Sequence, residues 1–318
     1  MNLDNLYKLA SEIRLGEWGP IHSILVYQNS QIIFEDYFET YAGDILHEAQ
    51  SVTKSLQSIL VGIAFDQGCL KDLDEPIKDY FSDYQGIDWS EGKDQITIRH
   101  LLTMTSGLSW NESQIPYTDI LDNDSNRLVL SDDWISYPLQ KPMQASPGQI
   151  FNYSSAAPIL LSHIIALATG MDNEVFAWEY LFDPLQIETY AYQKSPMQPH
   201  ILGDIDLLPR DMAKLGLLML NQGRWEGKQI LSSQWVKNSL DTHVILDDRA
   251  YGFWWWNRTV FSTKIKFEIY YAWGYGGQHI FVIPALQAVV VFTGGFYELT
   301  LASEPFRILD NFILPVLV

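Results

Sequence analysis

A chain of 318 residues that is 47% hydrophobic and 19% charged has the composition of a folded globular protein, with room for one large domain or two modest ones. Its formal charge of -19 argues against nucleic acid as a partner, because phosphate backbones need a positive field. Cys69 is the single cysteine, which leaves no internal disulfide and no cysteine-rich zinc site; it reads as a buried helix residue.

The opening stretch MNLDNLYKLASEIRLGEWG carries acidic residues and lacks the basic head, apolar core and small-residue cleavage site of a secretory signal. The chain as written is therefore expected in the cytoplasm. From Asn2 to Ile13 the apolar spacing is helical, and two β-rich runs, HSILVYQ and QIIFEDYFE, then flank an Asn29-Ser30 turn and predict a hairpin. From Ser51 to about Leu220 the pattern is mostly helical: SVTKSLQSILVGIAFDQG, TIRHLLTMTSG, AAPILLSHIIALATG and PRDMAKLGLLMLNQG, each closing on glycine. Runs such as SILVGIAF fall short of the roughly 20 residues that cross a bilayer, so no membrane association is expected. Two long polar loops, NESQIPYTDILDNDSN and QKPMQASPGQIFNYSS, interrupt the helices, and loops of that length in a compact domain are usually functional.

Beyond Leu246 the period becomes two. AYGFWWWNRTV, KIKFEIYYAWG, GQHIFVIP and QAVVVFTGG predict an antiparallel meander, and LASEPFRILDNFILPVLV returns to helical spacing. Neither βαβ alternation nor an internal repeat is visible. The expected class is α+β. Residues 1–50 and 206–318 would form one antiparallel sheet domain flanked by terminal helices, and residues 51–205 a mostly helical insert, with a site in the cleft between them.

Ser51 and Lys54 stand three apart at the start of the first long helix, so both side chains can share a face. A serine at a helix N-terminus lies beside free N–H groups, and a lysine whose pKa is lowered by burial can act as its base. S-x-x-K alone is weak, since a helix cap followed by a solvated lysine has the same letters. Tyr153 and Ser155 follow a Pro-Gly turn and precede a helix, where side chains project into clefts; a tyrosine there is most often packing, but beside a lysine it can shuttle protons. In YAWGYGGQHIFVIP, glycines interrupt a strand-like run. Either a plain bulge or a close backbone approach, such as a substrate lying along the edge, accounts for them.

Taken in order, these three segments resemble the serine β-lactamase and penicillin-binding-protein superfamily, specifically its class C-like esterase and amidase branch, similar to 6-aminohexanoate-dimer hydrolases. ITIRHLLTMTSGLSW, SPGQIFNYSSAAPILLSHII and DLLPRDMAKLGLLMLNQGRWEGKQILSSQWV extend the resemblance along nearly the whole chain. It implies a β-lactamase/transpeptidase-like fold with Ser51 as acylated nucleophile, Lys54 as proton acceptor or relay, Tyr153 as partner base and later acid, and Ser155 as a substrate hydrogen-bonding group. Ala272-Trp273-Gly274 stands where the family has Lys-Thr-Gly or His-x-Gly, so a lysine grip on a substrate carboxylate is missing. The backbone N–H groups of Ser51 and Tyr275 would form the oxyanion hole. Trp110, Tyr117, Trp254 and Trp255, with Trp273 and Gly274, are candidate substrate contacts, against the alternative of ordinary core packing.

The implied reaction is acyl transfer on small esters or amides, with no cofactor and no metal, by a monomer or weak homodimer. A β-lactamase or D-alanyl-D-alanine peptidase is the alternative within the superfamily, and a non-catalytic ligand sensor the alternative outside enzymes. His279 as a triad base is disfavoured because no G-x-S-x-G elbow is present, and His22, His47, His100, His163, His200 and His243 lack zinc-ligand spacing. His100 and His163 read as structural. Which of Lys54 and Tyr153 takes the first proton stays open, since the two would titrate as a pair.

Overall fold

A computed structural model describes residues 3–261, 266–297 and 303–318. Asn2, Lys264 and Ile265 of the expected strand, and Leu301 and Ala302 of the expected last helix lie outside the described residues. Helix α1 (Asp4–Arg14) buries Leu6, Leu9, Ala10 and Ile13, the spacing of one helical face. Strands β1 (Ile21–Gln28) and β2 (Gln31–Tyr37) form the expected hairpin, with Asn29 and Ser30 both at positive φ, as a two-residue turn of matching twist requires.

After the short strand β3 (His47–Glu48) come α2 (Val52–Asp66), α3 (Ile98–Leu102), α4 (Ala156–Thr169), β4 (Tyr190–Lys194), β5 (Leu202–Leu207) and α5 (Pro209–Leu220). A small two-stranded hairpin (Arg224–Trp225 with Lys228–Gln229) is followed by the strands β6 (Val244–Ile245), β7 (Ala250–Tyr251), β8 (Trp256–Phe261), β9 (Lys266–Gly274), β10 (Gln278–Ile283) and β11 (Ala288–Gly294). A helical run from Glu304–Ile308 to Leu314–Leu317 follows. Eight strands make one antiparallel sheet in the order β2-β1-β11-β10-β9-β8-β7-β6. The two ends of the chain meet where β1 pairs with β11, Leu25 opposite Val291. The class is α+β, with a large antiparallel sheet and helices.

Alternation along the central strands sends one set of side chains to each face. Ile24, Val26, Phe281, Val290 and Phe292 pack under α1 and the C-terminal helices, while Leu25, Ile280, Val282, Val289 and Val291 face α2 and α5. Gly216 lets α5 lie close on that inner face, for a Cβ there would stand 2.7 Å from both Ile280 and Val289. Every residue of α2 from Val52 to Ala64 is buried, because the sheet lies on one side, α4 on another and Trp235 against Gly62. The same apolar cluster continues into α3 and α4.

Two details depart from the sequence expectation. β3 and β4 flank β5 in a second, three-stranded sheet, so the boundary expected at 205/206 falls inside β5. AYGFWWWNRTV is not one strand: the chain leaves the sheet after Tyr251, turns inward through Trp254 at φ 62, and rejoins at Trp256. Among the described residues, no single helix is long and apolar enough to cross a membrane.

Candidate active site

The turn into α2 places Ser51. Ala49 N–H bonds to the Ile205 carbonyl at 2.9 Å, Gln50 takes a left-handed φ of 51, and Val52 and Thr53 donate back to Ala49 and Gln50. A non-glycine residue held at positive φ beside a candidate nucleophile is strain of the kind that clusters at functional sites. Ser51 occupies the N-cap position, yet its hydroxyl caps no backbone N–H. It accepts instead from Lys54 Nζ at 2.8 Å. Lys54 is only 4% exposed, which removes the reading of a solvated lysine after a cap.

The second segment arrives from across the cleft. Asn152 donates from its backbone to Met104 and from its side chain to the Leu108 and Trp110 carbonyls, which pins the chain just before Tyr153. The Lys54 ammonium lies 4.9 Å from the centre of the Tyr153 ring and donates to Ser155 Oγ at 3.1 Å. Ser51, Lys54, Tyr153 and Ser155 therefore converge. Ser155 Oγ in turn donates to Glu112 Oε1 at 2.7 Å, and Ser155 N–H to Glu112 Oε2 at 2.7 Å. Trp110 Nε1 and the Tyr117 hydroxyl complete the set on Glu112, at 2.7 and 2.8 Å. Glu112 is absent from the sequence expectation; its signal is a carboxylate two residues after a buried tryptophan, too common a pattern to single out.

Electrostatics reverse one expectation. Burial works against the Lys54 ammonium, but the negative charge available at Tyr153, Glu112 and Asp204 outweighs it and holds its pKa above the usual lysine range. Burial pushes the Tyr153 phenol up as well, with Lys54 pulling the other way. The shift at Lys54 thus runs upward, opposite to that of a lysine made basic by burial alone.

The glycines of the third segment have two causes. A Cβ on Gly274 would stand 2.5 Å from the Ala49 carbonyl oxygen, so β9 can approach the turn before Ser51 only with glycine there. Gly276 and Gly277 adopt φ of 83 and 92 under Tyr297 and Phe296, a backbone that L side chains rarely take. Tyr275 lies between Gly274 and Gly276, and among the described residues no acceptor is found for its N–H or for that of Ser51. Between these groups opens a cleft of about 440 Å³, walled by Tyr117, Phe151, Trp256, Trp273, Tyr275 and Tyr297, with Ser51 and Tyr153 on its floor.

Trp273, Gly274 and Tyr117 line the cleft, whereas Trp110, Trp254 and Trp255 do not. All three are 2% exposed or less and belong to the core. The inward turn at 252–255 buries Trp254, whose Nε1 donates to the Leu101 carbonyl and whose own carbonyl accepts from Ser55. Trp256, not named from the sequence, takes the place on the wall. His279 is fully buried between Trp273 and Phe281, far down from the usual histidine range at about 3 because burial disfavours its charge. His100 shares a capping box with Thr97 at the start of α3, and His163 pairs with His200.

A sequence profile of the Beta-lactamase family matches residues 20–298. The chain belongs to the beta-lactamase family. Within this family of serine β-lactamase-fold hydrolases, it is 25% identical over 226 residues to the 6-aminohexanoate-dimer hydrolase of Paenarthrobacter ureafaciens, covering 69% of this chain and 56% of that one. The chain spans about half the length of the curated relatives it matches. A Bacillus anthracis protein proposed to be a 6-aminohexanoate-dimer hydrolase superposes with a TM-score of 0.78 at 19% identity, over 100% of this chain and 85% of that one. A class C beta lactamase from Rhodobacter sphaeroides superposes at 0.72 and 17% identity, over 100% of both chains. These two likenesses establish the β-lactamase/transpeptidase-like fold.

Proposed function

We propose that the protein is a serine hydrolase that forms an acyl-enzyme on Ser51 and hydrolyses small esters or amides. The observation that carries this reading is the 2.8 Å contact of Lys54 Nζ with Ser51 Oγ, partly buried on the cleft floor beside Tyr153. Ser51 attacks the carbonyl as its proton passes into the Lys54–Tyr153 pair; the tetrahedral oxyanion rests on the Ser51 and Tyr275 N–H groups; the leaving group departs protonated; water then releases the acyl group. No step calls for a metal or cofactor.

Substrate charge follows from the walls. Ala272, at the position of the family lysine, is fully buried, and among the described residues that line the cleft there is no lysine or arginine. Arg249 lies 5.6 Å from the Trp273 ring centre but outside the lining, with its guanidinium paired to Asp248. A substrate carboxylate would meet aromatic rings and a strongly negative molecule, which favours neutral acyl groups over β-lactams or peptide C-termini.

The test is turnover of a 4-nitrophenyl ester series, nitrocefin and a linear aminohexanoate amide, with intact mass after a fluorophosphonate. Turnover and a mass adduct that both vanish in Ser51→Ala are the expected result. Activity persisting in a verified Ser51→Ala preparation would overturn the mechanism, and an adduct without turnover would instead favour a ligand sensor.

A further inference from the structure

Glu112 is 1% exposed and accepts four hydrogen bonds, from Ser155 N–H, Ser155 Oγ, Trp110 Nε1 and the Tyr117 hydroxyl. A carboxylate offers about four acceptor sites, so nothing is left for a substrate. An ammonium can only donate and a carboxylate only accept. The chain Lys54 Nζ to Ser155 Oγ to Glu112 Oε1 therefore has one polarity, with the hydroxyl proton of Ser155 on the Glu112 side. Ser155 spends its hydrogen-bonding capacity as a bridge between a buried cation and a buried anion rather than on substrate.

We infer that Glu112 is a positioning residue of the site: it fixes Ser155 as the bridge to Lys54 and sets its carboxylate across that bridge from the ammonium. This rests on the serine-hydrolase reading for its kinetic consequence, but not for its electrostatic one. The charged and titratable groups facing Lys54 are Tyr153 from the loop before α4, Glu112 from the loop after α3, and Asp204 from β5. Of these, Glu112 is the carboxylate joined to the ammonium through a hydrogen-bonded side chain. Its Tyr117 contact also ties one aromatic wall of the cleft to the same anion.

Removing that negative charge makes the coupled Lys54–Tyr153 pair release its proton at lower pH. Glu112→Gln preserves shape: its oxygen can still accept from Ser155 N–H and Trp110, and its amide can donate to the two hydroxyls. The expected result is an acid limb of kcat/KM for a neutral 4-nitrophenyl ester shifted down by about one pH unit. Glu112→Asp, which keeps the charge at shorter reach, is expected to lower kcat and leave the limb in place.

A folded Glu112→Gln with an unmoved limb overturns the inference. Should that variant not fold, Ser155→Ala cuts the bridge and is expected to move the limb in the same direction; an unmoved limb there overturns it equally. The ¹⁵N resonance of Lys54 Nζ, followed against pH in wild type and Glu112→Gln, reads the lysine charge without turnover. Lys54 is expected to remain an ammonium to higher pH in wild type, and identical titrations would sink the proposal. Loss of Ser51-dependent turnover in wild type, with a Glu112-dependent Lys54 titration intact, would fault the hydrolase reading alone.

Discussion

At the residue scale, Gly274 is required by distance rather than by dihedral angle. Its missing Cβ makes room for the Ala49 carbonyl at the turn that presents Ser51. Gly274→Ala is expected to displace β9 from that turn, costing about 1–3 kcal/mol by denaturant melt and lowering kcat at least tenfold. Wild-type kcat in that variant would show that the approach of β9 is dispensable. The convergence of Ser51, Lys54, Tyr153 and Ser155 is foreshadowed in the sequence because they lie in two short local patterns, S-x-x-K and Y-x-S. Glu112 is not, since its partners Trp110, Tyr117 and Ser155 come together only through folding, Ser155 from 43 residues away. The three tryptophans of GFWWW illustrate the same limit. Alternation would give neighbouring residues opposite faces, but the chain leaves the sheet at 252–255, so two rings go to the core and Trp256 to the cleft.

At the scale of elements, α5 rests on the sheet through Gly216, where an added methyl would meet Ile280 and Val289. Alanine there gains about 1 kcal/mol of helix propensity but must push two branched side chains aside. Gly216→Ala is expected to lose roughly 1–2 kcal/mol of stability in urea while kcat/KM stays within twofold, because α5 contributes no group to the cleft lining. A more stable variant would mean the helix–sheet contact has slack. The hairpin, α2, α4 and the late strands follow from local period and turn chemistry. Strand order does not. The pairing of β1 with β11 joins residues near opposite ends of the chain, and the two-residue β3 carries no periodic signal at all, though its pairing with β5 sets the entry to α2.

For the whole molecule, buried histidines set an acid limit. His22 and His163 are pushed down to about 4 and His279 to about 3, in each case by burial first, with His47 and His200 adding repulsion to the first two. Unfolded, each would titrate near 6.5, so the unfolded chain binds more protons below that pH. The stability these neutral rings contribute is therefore fully present above about pH 6.5 and lost as pH falls toward 4. The melting temperature is expected to drop by several degrees between pH 7.5 and pH 5, and a flat profile over that range would mean these rings are protonated in the folded state.

The burial of α2 from Val52 to Ala64 has a further consequence, in time rather than in space. A helix wrapped on every side can expose its amides only when the whole molecule opens, whereas the 111–123 loop, exposed except at Glu112, Asn123 and the half-buried Ile115 and Tyr117, can open alone. Amide exchange should therefore split the site into two clocks: Val52 to Ala64 protected to the limit of global stability, and the segment around Ser113 to Leu121 exchanging orders of magnitude faster. Ser51 and Lys54 would then be exposed only with the molecule as a whole, and the stretch around Ser113 to Leu121 on its own.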